Sequence, residues 1–282
     1  MRADPGDPAY RTGNGSCEVA TLPTPGWNLY RCAMEPVYTP VIGFARALFA
    51  FQGLRFRITG QENVPRTGGA VMMINHLSFF DFAYAGLAAV PSGRKVRFMA
   101  KESVFRHPVG GPLMRGMGHI PVDRDAGAAS FRAAVQELKA GEVVGVFPEA
   151  TISRSFELKD FKSGAVRMAK AAGVPILPTV LWGSQRVWTK GEKPRFGRSN
   201  IPISIAVGEP VEVPRGVDPE EVNREVRERM TTLLHAAQES YPPLTGADLK
   251  FLPARLGGTA PTPEEAAARD DADARARRKA RP

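Results

Sequence analysis

The chain is predicted to form an α/β domain on a single, largely parallel sheet, preceded by an N-terminal two-helix apolar segment. Three observations lead there. Apolar runs of strand length alternate with stretches of helical periodicity, the pattern of parallel strands joined by crossover helices. Polar residues with reactive chemistry stand mostly just after those runs, at His76, Lys101, Arg124 and Glu149. In open α/β sheets ligands bind beyond the carboxyl ends of the strands, so one sheet edge would gather these residues into a cleft. Finally, Pro25 to Phe56 is rich in aromatic and aliphatic residues punctuated by Arg31, Arg46 and Arg55, with Pro36 and Pro40 dividing it into a short and a longer helix.

In chain order, residues 1–22 are polar and rich in Asp, Gly and Pro, which predicts a disordered leader without a secretory signal. Residues 23–56 form the apolar segment, which reads equally as a hairpin packed on the domain or as an anchor lying in a membrane interface. Residues 57–256 carry the α/β pattern. Ala70 to Ile74 is a buried strand, followed by a helix start at Ser78. Lys95 to Ala100 is the next strand, with a proline-interrupted helix over Phe105 to Met117 and a short strand at Ile120 to Val122. Helix is expected from Ala126 to Ala140, strand from Val143 to Phe147, helix from Lys162 to Ala172, and strands at Val174 to Trp182 and Asn200 to Val207. Asp218-Pro219-Glu220-Glu221 is a strong helix start, with an acid at N-cap and proline at N1. That helix presents Val222, Val226, Met230, Leu233 and Ala237 on its apolar face and ends near Ser240. Residues 257–282 have almost no large apolar side chains and predict a disordered tail.

Composition narrows the partners. The formal charge of +9 is spread along the chain, which favours an anionic partner: nucleic acid, a phosphorylated metabolite or an anionic membrane face. Nucleic-acid binding is disfavoured, because no zinc-ligand spacing, helix-turn-helix or RNA-binding aromatic signature is present. Cys17 and Cys32 make no disulfide framework, so a reducing cytoplasm is expected, and the four histidines make no metal-ligand series. No apolar run is long enough to span a bilayer.

His76 and Asp81 are the residues around which the chemistry is built. A histidine leaving a strand at the foot of a helix, with an acid in the helix's first turn, can form a general-base pair. The carboxylate fixes one ring nitrogen as a donor and leaves the other free to take a proton. Ser78 and Asp81 are equally spaced as a capping box, with His76 then an ordinary loop residue. Arg124 is open to two readings as well: a bidentate phosphate ligand, or a surface partner of Asp123 or Asp125.

Four motifs in order, across roughly residues 54–210, resemble the glycerophospholipid acyltransferase family, which includes the 1-acyl-glycerol-3-phosphate acyltransferases. They are NHLSFFD at His76 and Asp81, GHIPVDR ending in Arg124, FPEATIS from Phe147 to Ser153, and VPILPTV from Val174. The resemblance implies transfer of an acyl group from a thioester, acyl-CoA or acyl carrier protein, to a glycerol hydroxyl of a lysophospholipid, with no permanently bound cofactor. It makes His76 the base and Asp81 its orienter. It puts Arg124, with Lys101 as second cation, at the acceptor's phosphate. Glu149 would orient Arg124 or receive an acceptor hydroxyl, and Thr151, Ser153 and Ser78 would stand near polar groups of the substrate. Backbone amides after His76 are candidates for the oxyanion. Lysophosphatidate is the expected acceptor, with glycerol-3-phosphate, a lyso-aminolipid or a glycolipid as alternatives. A peripheral site on the cytoplasmic face of the cell membrane, against an anionic surface, follows from the lipid acceptor. Two departures stand out: Ala150 where the family usually has glycine, and His119 at a commonly apolar position, expected at the rim of the cleft.

Overall fold

The computed structural model describes residues 37–123 and 127–279. Strand β2 (Ala70–Ile74) lies in the interior of the sheet, and all five of its residues are buried. Val71 and Met73 enter one apolar cluster, while Ala70, Met72 and Ile74 enter the other, as the two-residue period of a strand requires. Its neighbour β6 (Ile176–Trp182) does the same, with Ile176, Val180 and Trp182 on one face and Leu177 and Leu181 on the other. Full burial of each of the Val, Leu, Ile and Met side chains among them stabilises the fold by about 1.5–3 kcal/mol, so these two strands anchor the core.

The sheet has seven strands in the order β1 (Arg55–Thr59), β7 (Pro202–Val207), β6, β2, β5 (Val143–Val146), β3 (Val96–Lys101) and β4 (Ile120–Val122). From β6 to β4 every pairing is parallel, whereas β7 runs antiparallel to β6 and carries β1 with it. Helices α5 (Gly127–Lys139), α6 (Gly164–Ala172) and α7 (Pro219–Glu239) cover one face, and α1 (Tyr38–Phe51) and α2 (Asp81–Ala85) cover the other. The Asp218 side chain caps α7 by accepting the Glu220 N–H at 3.1 Å, and the buried seam runs through Leu234, one position on from the expected Leu233. The single helix expected over Phe105 to Met117 is two short ones, α3 (Glu102–Phe105) and α4 (Gly110–Gly116), parted at Pro108.

Three expectations at the ends of the chain need restating. The leader, Cys17, Cys32 and the first of the two apolar helices lie outside the described residues. Pro40 lies inside α1, in its first turn, where a missing N–H leaves no intrahelical bond unmade. The helical segment ends at Phe51, and Arg55 and Phe56 belong to β1, an edge strand with Arg55, Arg57 and Thr59 exposed. Among the described residues no helix is long and apolar enough to cross a membrane.

The tail is the larger correction, because Pro263–Lys279 is helix α8. Thr262 and Glu265 form a reciprocal capping box, with Glu265 N–H to Thr262 Oγ1 at 3.3 Å and Thr262 N–H to Glu265 Oε2 at 3.2 Å. Ions then hold it in place of apolar packing. Asp270 accepts from Lys159 Nζ at 2.6 Å and Lys190 Nζ at 2.5 Å, and Asp273 accepts from Arg154 at 2.8 Å.

Candidate active site

At the end of β2 the chain leaves the sheet, and Asn75 replaces the lost ladder. Its side chain donates to Leu181 O at 3.0 Å and accepts the Leu181 N–H at 2.7 Å. His76 is therefore presented at the carboxyl edge of the sheet, beside the loop that follows β5. That loop grips its backbone on both sides. The His76 N–H donates to Glu149 Oε1 at 3.0 Å, and His76 O accepts the Ser153 N–H at 2.8 Å. Phe147 stacks on the imidazole with ring centroids 4.3 Å apart.

Asp81 Oδ2 lies 3.0 Å from His76 Nδ1 and also accepts the backbone N–H groups of Leu77 at 2.6 Å and Ser78 at 2.7 Å. The capping and catalytic readings are thus both realised by one carboxylate oxygen. Capping holds the acid in place, and the acid in turn holds the ring. The Asp81 side chain is fully buried while the His76 side chain is 21% exposed, so the acid is sealed from solvent and the base is reachable. With Nδ1 donating to Asp81, Nε2 is left as the proton acceptor. The neighbouring Tyr84 hydroxyl is held neutral by burial, with the Asp81 charge adding to the same effect.

Ser78 is fully buried, and its hydroxyl donates to Trp188 O at 2.7 Å while accepting the Phe80 N–H at 3.2 Å. It fastens the turn. The amides after His76 are taken too: Leu77 and Ser78 by Asp81, Phe79 by Trp188 O at 3.2 Å and Phe80 by Ser78 Oγ. The expected oxyanion donors at these four positions are consumed by the turn itself and, at Phe79, by Trp188 O.

Glu149 is 5% exposed, and its second oxygen accepts the Lys159 N–H at 3.4 Å. Both oxygens face backbone amides, so the carboxyl positions His76 from below. Burial pushes it up to about 8, against the lowering effect of the two amides and the Lys159 charge, and Asp81 adds to the rise. In the unfolded chain the same group titrates near 4.5, so the folded state keeps a proton that the unfolded state releases. Its stabilising contribution is complete below that value and is lost as pH rises to about 8. The melting temperature is therefore expected to fall between pH 5 and 8 more steeply in the wild type than in Glu149→Gln. Equal slopes in the two proteins would contradict this placement.

Ser153 is fully buried and donates to Glu157 O at 2.7 Å, which makes it a loop brace. Thr151 is half-buried and Lys101 exposed, the side chain of the latter making no hydrogen bond or ion pair among the described residues. Lys101 pairs in register with Val122, at the end of the strand that leads to Arg124; Arg124 itself lies outside the described residues. His119 is a correction. It is 6% exposed, its Nδ1 accepts the Phe98 N–H at 3.1 Å, and its ring packs edge-on against Tyr38 and Phe98.

Ala150 has φ of +58°, the left-handed region that a Cβ disfavours. It closes a turn in which its N–H donates to Phe147 O at 3.1 Å, with Pro148 at the second position. Ala150→Gly removes a cost of roughly 1–2 kcal/mol and adds about 0.5–1 kcal/mol of backbone entropy. A small net gain in stability by urea titration is the expected result; a loss would mean that the methyl group packs usefully.

One loop was missed by sequence reasoning. Thr189 Oγ1 donates to Leu77 O at 2.6 Å, and Trp188 takes both Ser78 and Phe79, so the segment after β6 forms the second wall of the His76 turn. No spacing in the sequence links these positions, which lie more than a hundred residues apart.

Comparison with known proteins bears on the family and the fold. The family profile described as "Acyltransferase" matches residues 55–182. The chain is 28% identical over 173 residues to a 1-acyl-sn-glycerol-3-phosphate acyltransferase of Bacillus subtilis, covering 59% of this chain and 80% of that one. It is 32% identical over 145 residues to the protein of that name from Borreliella burgdorferi, covering 49% of this chain and 55% of the relative. A third, from Limnanthes douglasii, is 30% identical over 201 residues, covering 70% of this chain and 67% of its own length. The chain thus spans about half to four-fifths of these three relatives. The crystal structure of the 1-acyl-sn-glycerophosphate (LPA) acyltransferase from Thermotoga maritima superimposes with a TM-score of 0.60 at 24% identity, covering 73% of this chain and 81% of that one, a likeness of fold.

Proposed function

The chain belongs to the glycerophospholipid acyltransferase family, and from that premise we propose that it transfers a fatty acyl group from acyl-CoA or acyl carrier protein to the free hydroxyl of lysophosphatidate. The observation that carries the reading is the pairing of a reachable His76 with a sealed Asp81 at the carboxyl edge of the sheet. His76 Nε2 takes the proton of the acceptor hydroxyl as its oxygen attacks the thioester carbonyl. The tetrahedral intermediate collapses with cleavage of the C–S bond, and the departing thiolate receives the proton back from His76. Attack is direct. Ser78 is buried with its hydroxyl engaged, and among the described residues there is no cysteine to carry an acyl group.

Arg124 and Lys101 take the acceptor's phosphate, the guanidinium bidentately and the ammonium as a point charge. Arg124→Ala is expected to raise KM for lysophosphatidate by roughly tenfold or more, the scale of a lost charge-assisted hydrogen bond, and to leave KM for the acyl thioester nearly unchanged. Equal losses for both substrates would remove the phosphate from this site.

The enzyme works as a peripheral protein on the cytoplasmic membrane face, where its acceptor resides. Helix α1 supports this reading with Phe44 and Phe51 exposed at 71% and 68%, seven residues apart on one face. Tyr38 and Phe49 of the same helix are buried at 5%, so it also closes the core.

A further inference from the structure

The segment Lys193–Arg198, KPRFGR, puts a half-exposed phenylalanine between cations. Phe196 is 47% exposed, and its ring stands 5.8 Å from Trp188, which in turn lies 4.5 Å from Phe79, itself 43% exposed. Phe79 sits in the turn between His76 and Asp81. An aromatic chain therefore runs from an exposed basic loop to the mouth of the candidate active site.

The loop is held firmly beneath. Arg195 pairs with Asp248 at 2.7 Å, and its N–H donates to Val187 O at 2.8 Å. Gln52, capping the end of α1, donates to Phe196 O at 3.4 Å and accepts the Ser199 N–H at 2.8 Å, which joins the loop to the helix carrying exposed Phe51. Lys193 and Arg198, by contrast, are exposed with no hydrogen-bond or ion-pair partner among the described residues.

We propose that Phe79 and Phe196, the latter flanked in sequence by Lys193 and Arg198, form a second lipid-contacting surface, which docks on an anionic bilayer and sets the mouth of the His76 cleft against it. The proposal rests on the lipid-acceptor reading above and adds where the bilayer lies relative to the site. Exposed rings between unpaired cations match the two layers of an anionic membrane surface, acyl boundary and charged headgroups. A second contact also does what a single amphipathic helix does not: it fixes the rotation of the domain about that helix.

The full chain carrying Trp27→Phe reports on this through Trp188, since its other tryptophan, Trp182, is 1% exposed. Brominated phosphatidylglycerol vesicles are expected to quench Trp188 emission, less so as salt rises. Phe196→Ser with Lys193→Gln and Arg198→Gln should weaken vesicle affinity by roughly tenfold or more. It should also lower activity on vesicle-embedded acceptor and leave activity on a soluble short-chain acceptor intact, which shows that the variant is folded. Vesicle binding without Trp188 quenching would overturn the proposal, placing the contact elsewhere on the chain. Unchanged vesicle affinity with a loss confined to acyl carrier protein as donor would overturn it in favour of a carrier-protein dock. Absence of acyl transfer to any acceptor, with quenching intact, would remove the enzymatic reading and keep the lipid surface.

Discussion

His76→Ala is expected to lower turnover by roughly 10²–10⁴-fold, the range for loss of a positioned general base. The protein should stay folded. The imidazole is partly exposed, and its hydrogen-bond partner Asp81 retains the Leu77 and Ser78 amides. What remains is an acceptor hydroxyl held near a thioester with nothing to take its proton. Steady-state kinetics beside a thermal melt read the two quantities separately. A large fall in melting temperature with proportional loss of activity would make His76 a structural residue.

Asp81→Asn should cost turnover on a comparable scale, and stability as well. One Asp81 oxygen meets three donors, the imidazole and two backbone amides. A carboxamide supplies an oxygen for some of them, but it removes the charge and the preference for Nδ1 as the protonated nitrogen. The buried amides left less well satisfied should lower stability by about 1–3 kcal/mol. The two roles separate in kinetics measured below the variant's melting transition: a capping role alone predicts near-wild-type kcat there, and the dyad predicts a deep loss.

The chain declared its architecture where burial acts on both faces of an element. Ala70–Ile74 is a strand at the expected bounds with all five residues buried; the edge strand Ile120–Val122 also keeps its bounds although Pro121 is exposed, and α7 starts at Pro219, directly after its Asp218 cap, because its cap chemistry is written in adjacent residues. Strand β1 was hidden because RFRIT alternates arginine with apolar residues and continues an amphipathic helical run without a break in hydropathy. Helix α8 was hidden for a different reason. Its apolar content is too low for periodicity to show, and the lysines that hold Asp270 are far away in sequence. The reversal of β7 depends on pairing that no local pattern encodes.

At the site, the His76–Asp81 spacing was legible because one turn contains both residues. The convergence of Glu149 on His76 followed from neighbouring strands β2 and β5, yet its use of both oxygens on backbone amides did not, because burial decides it. Ser78 and Ser153 had the residue type of substrate ligands, but their hydroxyls are spent on Trp188 O and Glu157 O. A hydroxyl in a motif does not reveal whether it faces the cleft or the loop that builds it.

The most direct test offers the purified protein a labelled acyl thioester together with lysophosphatidate, glycerol-3-phosphate, a lyso-aminolipid and a glycolipid, and identifies the product and its acylated position. Labelled phosphatidate is the expected principal product, formed by the wild type and lost in His76→Ala. Preferential labelling of a phosphate-free acceptor, or undiminished transfer by His76→Ala, would contradict it.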